Sequence, residues 1–248
     1  MKAWRVYATG DMRLDDIPMP EIKPGHVLVK IRMVQVSVTE VGNFQGTSGN
    51  MEKLLEEKCP RQMFGHEFCA EVIEAGEGVK NIKRGERVVY YGRVPCHKCA
   101  MCLAGYEHLC CKGPMLGVDI PGGLAEYALL PAGGLISIPD TISDSEGAAM
   151  QPLVGTMGAV FLIGVEMGDT VVVLGQGSMG INAMQICRVC GAGKVIGVDV
   201  IDDVLVMSHK LGADVVERKD APQPPQHIAD LRPEYPTIDM GFVDHDIL

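Results

Sequence analysis

The stretch Val171-Val172-Val173-Leu174-Gly175-Gln176-Gly177-Ser178-Met179-Gly180 decides the fold. Four apolar residues, three of them β-branched, read as a buried parallel strand. The pattern G-x-G-x-x-G follows at once, and residues 181–187 continue with the spacing of a helix that has an apolar face. A second apolar strand, residues 194–198, ends on Asp199. Strand, glycine turn, helix, strand and terminal acid in this order form a dinucleotide fingerprint. Gly175 permits the tight turn, Gly177 lets a pyrophosphate approach the backbone, and Gly180 lets helix and strand pack closely. The helix start, with Ser178 and Met179, offers unpaired N–H groups and a positive dipole end to phosphate. Asp199 is placed to accept hydrogen bonds from the adenosine ribose. Asp199, Asp202 and Asp203 stand where a 2′-phosphate would lie, with no Arg or Lys among them. Like charge repels that phosphate, so NAD is expected over NADP.

Working outward, the rest of the chain narrows the class. With 248 residues, 47% of them hydrophobic, and 30 glycines, it reads as a globular α/β protein. Net charge is −10, which argues against nucleic acid or an anionic membrane as the main partner. No apolar run is long enough to span a bilayer, and residues 1–7 read as a first strand and not as a signal peptide, so the cytoplasm is the expected compartment. Residues 1–46 look all-β, with strands over 3–7, 13–16 and 27–36 between Pro and Gly turns. Residues 50–58 read as a surface loop, and residues 69–75 and 86–91 as further strands. After residues 122–128 return to strand, a helix-rich stretch begins near residue 142, with Ser143 or Asp144 as its N-cap.

Cys96, Cys99, Cys102 and Cys110 give the spacing C-x2-C-x2-C-x7-C. Two-residue gaps turn successive thiolates onto one tetrahedral ion, and the longer excursion returns the fourth. An all-sulfur set leaves no open position, so a zinc there is structural; an iron–sulfur cluster is the alternative. Cys111 is left over and is expected to pack. Cys187 and Cys190 fall inside the helix and read as packing residues.

Together, Gly65-His66-Glu67, the four-cysteine lobe, residues 122–127, the glycine motif and Asp199 make the chain similar to the medium-chain dehydrogenase/reductase superfamily, in its zinc-containing alcohol dehydrogenase family and near the polyol and threonine dehydrogenase branch. The resemblance implies a GroES-like β-rich catalytic domain over residues 1–152, with a zinc lobe at about 93–113. A Rossmann domain follows over residues 153–248, with the active site in the cleft between the two. It implies hydride transfer between a secondary alcohol or polyol and its ketone with NAD, and homo-oligomeric full-length relatives. Thr39 falls where the family places its proton-relay hydroxyl.

Two departures qualify the likeness. The family's catalytic zinc takes a Cys where this chain has Ser37, the His of Gly-His-Glu, here His66 followed by Glu67, and a Cys or acid where this chain has Gln151. A serine hydroxyl and an amide are poor neutral donors, so that site is expected to hold zinc weakly at best. Ser37, Thr39 and His66 could still donate hydrogen bonds to a developing oxyanion. A zinc-independent NAD-linked reductase and a non-catalytic NAD-binding protein remain as alternatives. The second departure is length. Only four Rossmann strands are placed, in order 3-2-1-4, the last at residues 239–244. A truncated gene model, a fragment or a degenerate gene would explain this, and the chain alone is not expected to be a stable, active monomer.

Overall fold

The computed structural model describes residues 1–47, 59–90 and 94–218. The chain forms two compact units, Met1–Gln151 and Pro152–Leu248.

The first unit is built on antiparallel sheets. Strands β1 (Lys2–Ala8), β2 (Asp11–Asp16) and β4 (Arg61–Gln62) form a three-stranded sheet in the order β2-β1-β4. A five-stranded sheet runs β7-β3-β5-β6-β8, from β3 (His26–Gln35), β5 (Glu67–Ala75), β6 (Arg87–Tyr90), β7 (Tyr127–Pro131) and β8 (Leu135–Ser137). Its core is the apolar set Val27, Val29, Phe68, Ala70, Val72, Val88 and Leu130, all essentially without solvent exposure. The β3–β5 register shifts between Ile31 and Met33 and ends with Gln35 opposite Glu67. The antiparallel pairing sets the end of β3 beside the start of β5, and a bulge of this kind re-aims side chains near that end.

Immediately after β3 the chain turns into α1 (Val38–Gln45). Ser37 is its N-cap in a reciprocal capping box with Glu40, and Gly46 ends it in the left-handed conformation at φ 75°. Thr39 therefore lies on a helix. Further on, α2 (Ala100–Leu103) and a 3-10 turn (Glu107–Leu109) shape the cysteine lobe. Helix α3 (Asp144–Ala148) is capped by Ser143, with Glu146 completing its box, which decides between the two expected caps.

Helix α4 (Met150–Ile163) starts at the end of the first unit and runs into the second, which goes on to alternate parallel strand and helix: β9 (Thr170–Leu174), α5 (Ser178–Val189), β10 (Lys194–Asp199), α6 (Asp202–Lys210) and β11 (Val215–Arg218). The sheet order is β11-β10-β9, all parallel, so the described strands follow the expected 3-2-1 order. The strand expected at residues 239–244 and the loop at 50–58 lie outside the described residues. Cys187 is buried against Met184 and Val195, and Cys190 packs beside them. Both serve as apolar filling. Cys111 is the exception among the thiols expected to pack: it is exposed. Cys110 turns inward and is buried, and its neighbour is thereby directed outward. Among the described residues no helix is long and apolar enough to cross a membrane.

Candidate functional site

In the second unit, the glycine motif takes the form its spacing demands. Gly175 has φ 84°, a left-handed turn that a side chain would strain. A Cβ on Gly180 would sit 1.7 Å from the Gly175 carbonyl oxygen, so helix and turn meet only because that position is bare. A Cβ on Gly177 would meet nothing within 4 Å, which leaves the loop surface open to a ligand. Gly177 is the N-cap of α5, and no side chain caps that end. The N–H groups of the first turn thus have no side-chain acceptor at the cap, and Ser178 and Met179 are exposed.

Asp199 closes β10 beside this loop. Its Oδ2 accepts the Gln176 N–H at 2.5 Å, and its Oδ1 accepts those of Val200 and Ile201 at 2.7 and 3.0 Å. Burial pushes this carboxyl up, but the three N–H groups outweigh it, so the pKa falls below its ordinary value and the acid stays ionised. A carboxylate has roughly four acceptor positions, so about one is left for a ribose hydroxyl.

In the first unit, His66 is held by a residue the sequence reading did not single out. Glu40, 3% exposed, directs Oε1 at the Gly65 N–H (2.5 Å), the His66 N–H (3.1 Å) and His66 Nδ1 (2.8 Å). Its Oε2 accepts the Ser37 N–H at 3.3 Å. Burial pushes the Glu40 carboxyl up, and its bonds to His66 and the backbone more than reverse this. An ionised carboxylate only accepts, so Nδ1 carries the ring proton and Nε2 is left to face a ligand. Burial pushes the His66 pKa down, and the hydrogen bond and charge of Glu40 raise it overall. The His66 Nε2 lies 3.6 Å from Glu67 Oε1, while Glu67 Oε2 accepts from Gln35 Nε2 at 2.7 Å. Burial leads the upward shift of the Glu67 carboxyl.

The turn before His66 explains the glycines at residues 122–123. Phe64 and Gly65 have φ 66° and 77°. A Cβ on Gly65 would lie 2.4 Å from the Leu124 nitrogen, and one on Gly122 would lie 1.9 Å from the Phe64 oxygen. The Gly123 N–H donates to the Gly65 carbonyl at 2.7 Å. These backbones touch, so Gly65 and Gly122 do not tolerate a side chain.

Of the other expected site residues, Ser37 accepts the Glu40 N–H at 3.1 Å and keeps its own O–H to donate. Thr39 is exposed in the first turn of α1 and makes no hydrogen bond to His66. Gln151 forms no hydrogen bond with Ser37, His66 or Glu67 among the described residues.

The four lobe cysteines converge. Their sulfurs all lie within 4.8 Å of one another, the only such metal-ligating group among the described residues. Sγ–Sγ separations are 3.5 Å for Cys99–Cys102 and 3.9 Å for Cys96–Cys102 and Cys99–Cys110. A tetrahedron with zinc–sulfur bonds of ~2.3 Å has edges of ~3.8 Å, so the set fits one zinc ion. A polynuclear iron–sulfur cluster needs its cysteines set farther apart. Cys110 Sγ also accepts the Cys96 and Gly113 N–H groups at 3.3 and 3.2 Å. Burial raises the Cys110 thiol, and backbone N–H groups, that of Cys96 first, overcome this and bring it to about 6. Burial pushes Cys102 the other way, to about 12.

A parallel βα sheet with a glycine turn and a β-rich unit bearing a carboxylate-held histidine and four converging cysteines are the two parts of the medium-chain dehydrogenase fold. The chain belongs to the zinc-containing alcohol dehydrogenase family of the medium-chain dehydrogenase/reductase superfamily. Residues 23–140 match the alcohol dehydrogenase GroES-like domain. The chain is 33% identical over 207 residues to the L-threonine 3-dehydrogenase of Francisella tularensis subsp. novicida (strain U112), a match covering 83% of this chain and 57% of that protein. It thus spans little more than half the length of the relatives it matches. Galactitol-1-phosphate dehydrogenase from Escherichia coli superposes with a TM-score of 0.84 at 25% identity, over 94% of this chain and 65% of that one. An NAD-dependent alcohol dehydrogenase superposes at 0.82 with 30% identity, over 93% and 67%.

Proposed function

We propose that this chain carries the nucleotide loop and the alcohol-side residues of an NAD-linked dehydrogenase acting on a small secondary alcohol or polyol and its ketone. The observation that carries the reading is the glycine turn with its open helix end beside an ionised Asp199. When bound, NAD supplies hydride chemistry. The chain's own part is to bind the pyrophosphate at the start of α5, to hold the ribose at Asp199, and to present Ser37 and His66 to the alcohol oxygen. Asp199 favours NAD, because a 2′-phosphate would meet its negative charge. Relatives named for threonine and for a polyol phosphate support the alcohol class.

The same reading assigns one zinc to Cys96, Cys99, Cys102 and Cys110, where it would hold the lobe together. The catalytic-metal position fits zinc poorly. Ser37 is committed to its helix cap, Glu67 Oε2 is committed to Gln35, and Gln151 is neutral. His66 Nε2 is then the one strong uncommitted nitrogen, which favours zinc-independent reduction as the second reading.

The test is titration of the 248-residue chain with NADH and NADPH, followed by initial rates on L-threonine, sugar alcohols and simple secondary alcohols. Binding of NADH at least tenfold tighter than NADPH is the expected result. No nucleotide binding would end the reading.

A further inference from the structure

Beneath the glycine turn lies a polar cluster that the fingerprint does not require. Gln176 occupies an unrestricted position of G-x-G-x-x-G, yet it is fully buried. Every side-chain polar atom it has is used. Its Nε2 donates to the carbonyls of Val173 (2.7 Å) and Gly175 (3.3 Å), and its Oε1 accepts the Ser208 hydroxyl at 2.6 Å. Ser208 is itself fully buried, on α6. Gly197 on β10 makes the space: a Cβ there would come within 2.9 Å of both the Gln176 amide and the Ser208 oxygen. The backbone N–H of Gln176 itself is the donor to Asp199 Oδ2.

We infer that Gln176 and Ser208 are positioning residues that clamp α6 to the glycine turn and so fix the Asp199 carboxylate that discriminates NAD from NADP. The inference rests on the nucleotide reading above. A buried amide has few ways to satisfy its donors and acceptor, so the side chain locks residue 176, and residue 176 locks the N–H that Asp199 accepts. Without the Ser208 hydroxyl, Oε1 has no partner in an apolar setting and the amide must reorganise. Asp199 then loses its tether to the turn and keeps only its bonds to Val200 and Ile201. It is free to swing away from the position where it opposes a 2′-phosphate.

The experiment compares the full chain with Ser208→Ala and the milder Ser208→Cys, which keeps a weak donor. It reads three quantities: the ratio of NADH to NADPH dissociation constants, hydrogen exchange at the Gln176 amide, and the unfolding midpoint. General destabilisation weakens both nucleotides equally and leaves the ratio alone, so the ratio isolates positioning. Ser208→Ala should narrow the preference for NADH about tenfold, the effect of one lost buried hydrogen bond. It should also speed exchange at Gln176, with Ser208→Cys between it and the unmodified chain. If the ratio holds while the midpoint falls, the cluster is only structural and the inference fails. If the unmodified chain binds neither nucleotide, the nucleotide reading fails, and unchanged exchange at Gln176 would then overturn the clamp separately.

Discussion

Replacing Glu40 by Ala tests how the His66 site is built. The carboxylate is the shared acceptor for the Gly65 N–H, the His66 N–H and His66 Nδ1, and it closes the capping box at Ser37. The Gly65 bond is buried, and an orphaned buried donor costs about 1–3 kcal/mol. His66 is about one-quarter exposed, so water can replace part of what its two donors lose. Breaking a buried charged pair costs about 3–5 kcal/mol, and the partial exposure puts this case near the lower end, about 3 kcal/mol. For a unit of this size that corresponds to a fall of roughly 6–12 °C in the unfolding midpoint. Glu40→Gln keeps one acceptor and should lose about half as much. The assay is thermal unfolding followed by the fluorescence of Trp4, the only tryptophan, whose backbone N–H donates to the Leu124 carbonyl beside the Gly65 turn. It reports the first unit alone. A shift below about 2 °C for Glu40→Ala would show that the turn stands without the carboxylate and would refute the reasoning.

Two glycines should separate fold from binding. Gly177→Ala has open space and should leave the midpoint within about 1 °C while weakening NADH, whereas Gly180→Ala meets the Gly175 carbonyl and should lower both. Elemental analysis should find one zinc per chain, and Cys102→Ser should abolish it; iron, or a second zinc that survives dialysis against a mild chelator, would contradict the donor argument. Asp144 is held below its ordinary value of 3.8, first by its bond to Arg87 and then by Arg32. Its contribution is therefore complete above that value and lost as pH falls through the lower folded one, so Asp144→Asn should flatten the acid limb of the stability profile, as acid titration of the unfolding midpoint would show.

The parts of this fold legible in the sequence are those whose chemistry is local. The glycine turn, α5, β10 and the cysteine spacing each follow from neighbours within a few residues. Ser37 and Glu40 also spell a capping box, S-x-x-E, which announces the start of α1. Taking that stretch as a ligand pattern hid both the helix and the carboxylate that grips His66, 26 residues away. The burial of Gln176 is not legible for a different reason. The motif leaves its position unrestricted, and only the distant Ser208 and the bare Gly197 make its burial possible. The exposure of Cys111, against the expectation that it packs, depends on the inward turn of Cys110, which spacing alone does not show.

Amide chemical-shift mapping of the isotopically labelled chain during NADH titration shows whether a dinucleotide sits on the turn between β9 and α5. Saturable shifts are expected at Gly175, Gly177, Ser178, Met179 and Gly180 and at Asp199 to Ile201, weakened in Gly177→Ala. Saturable shifts confined to other residues, or none at all in a folded chain, would contradict that placement.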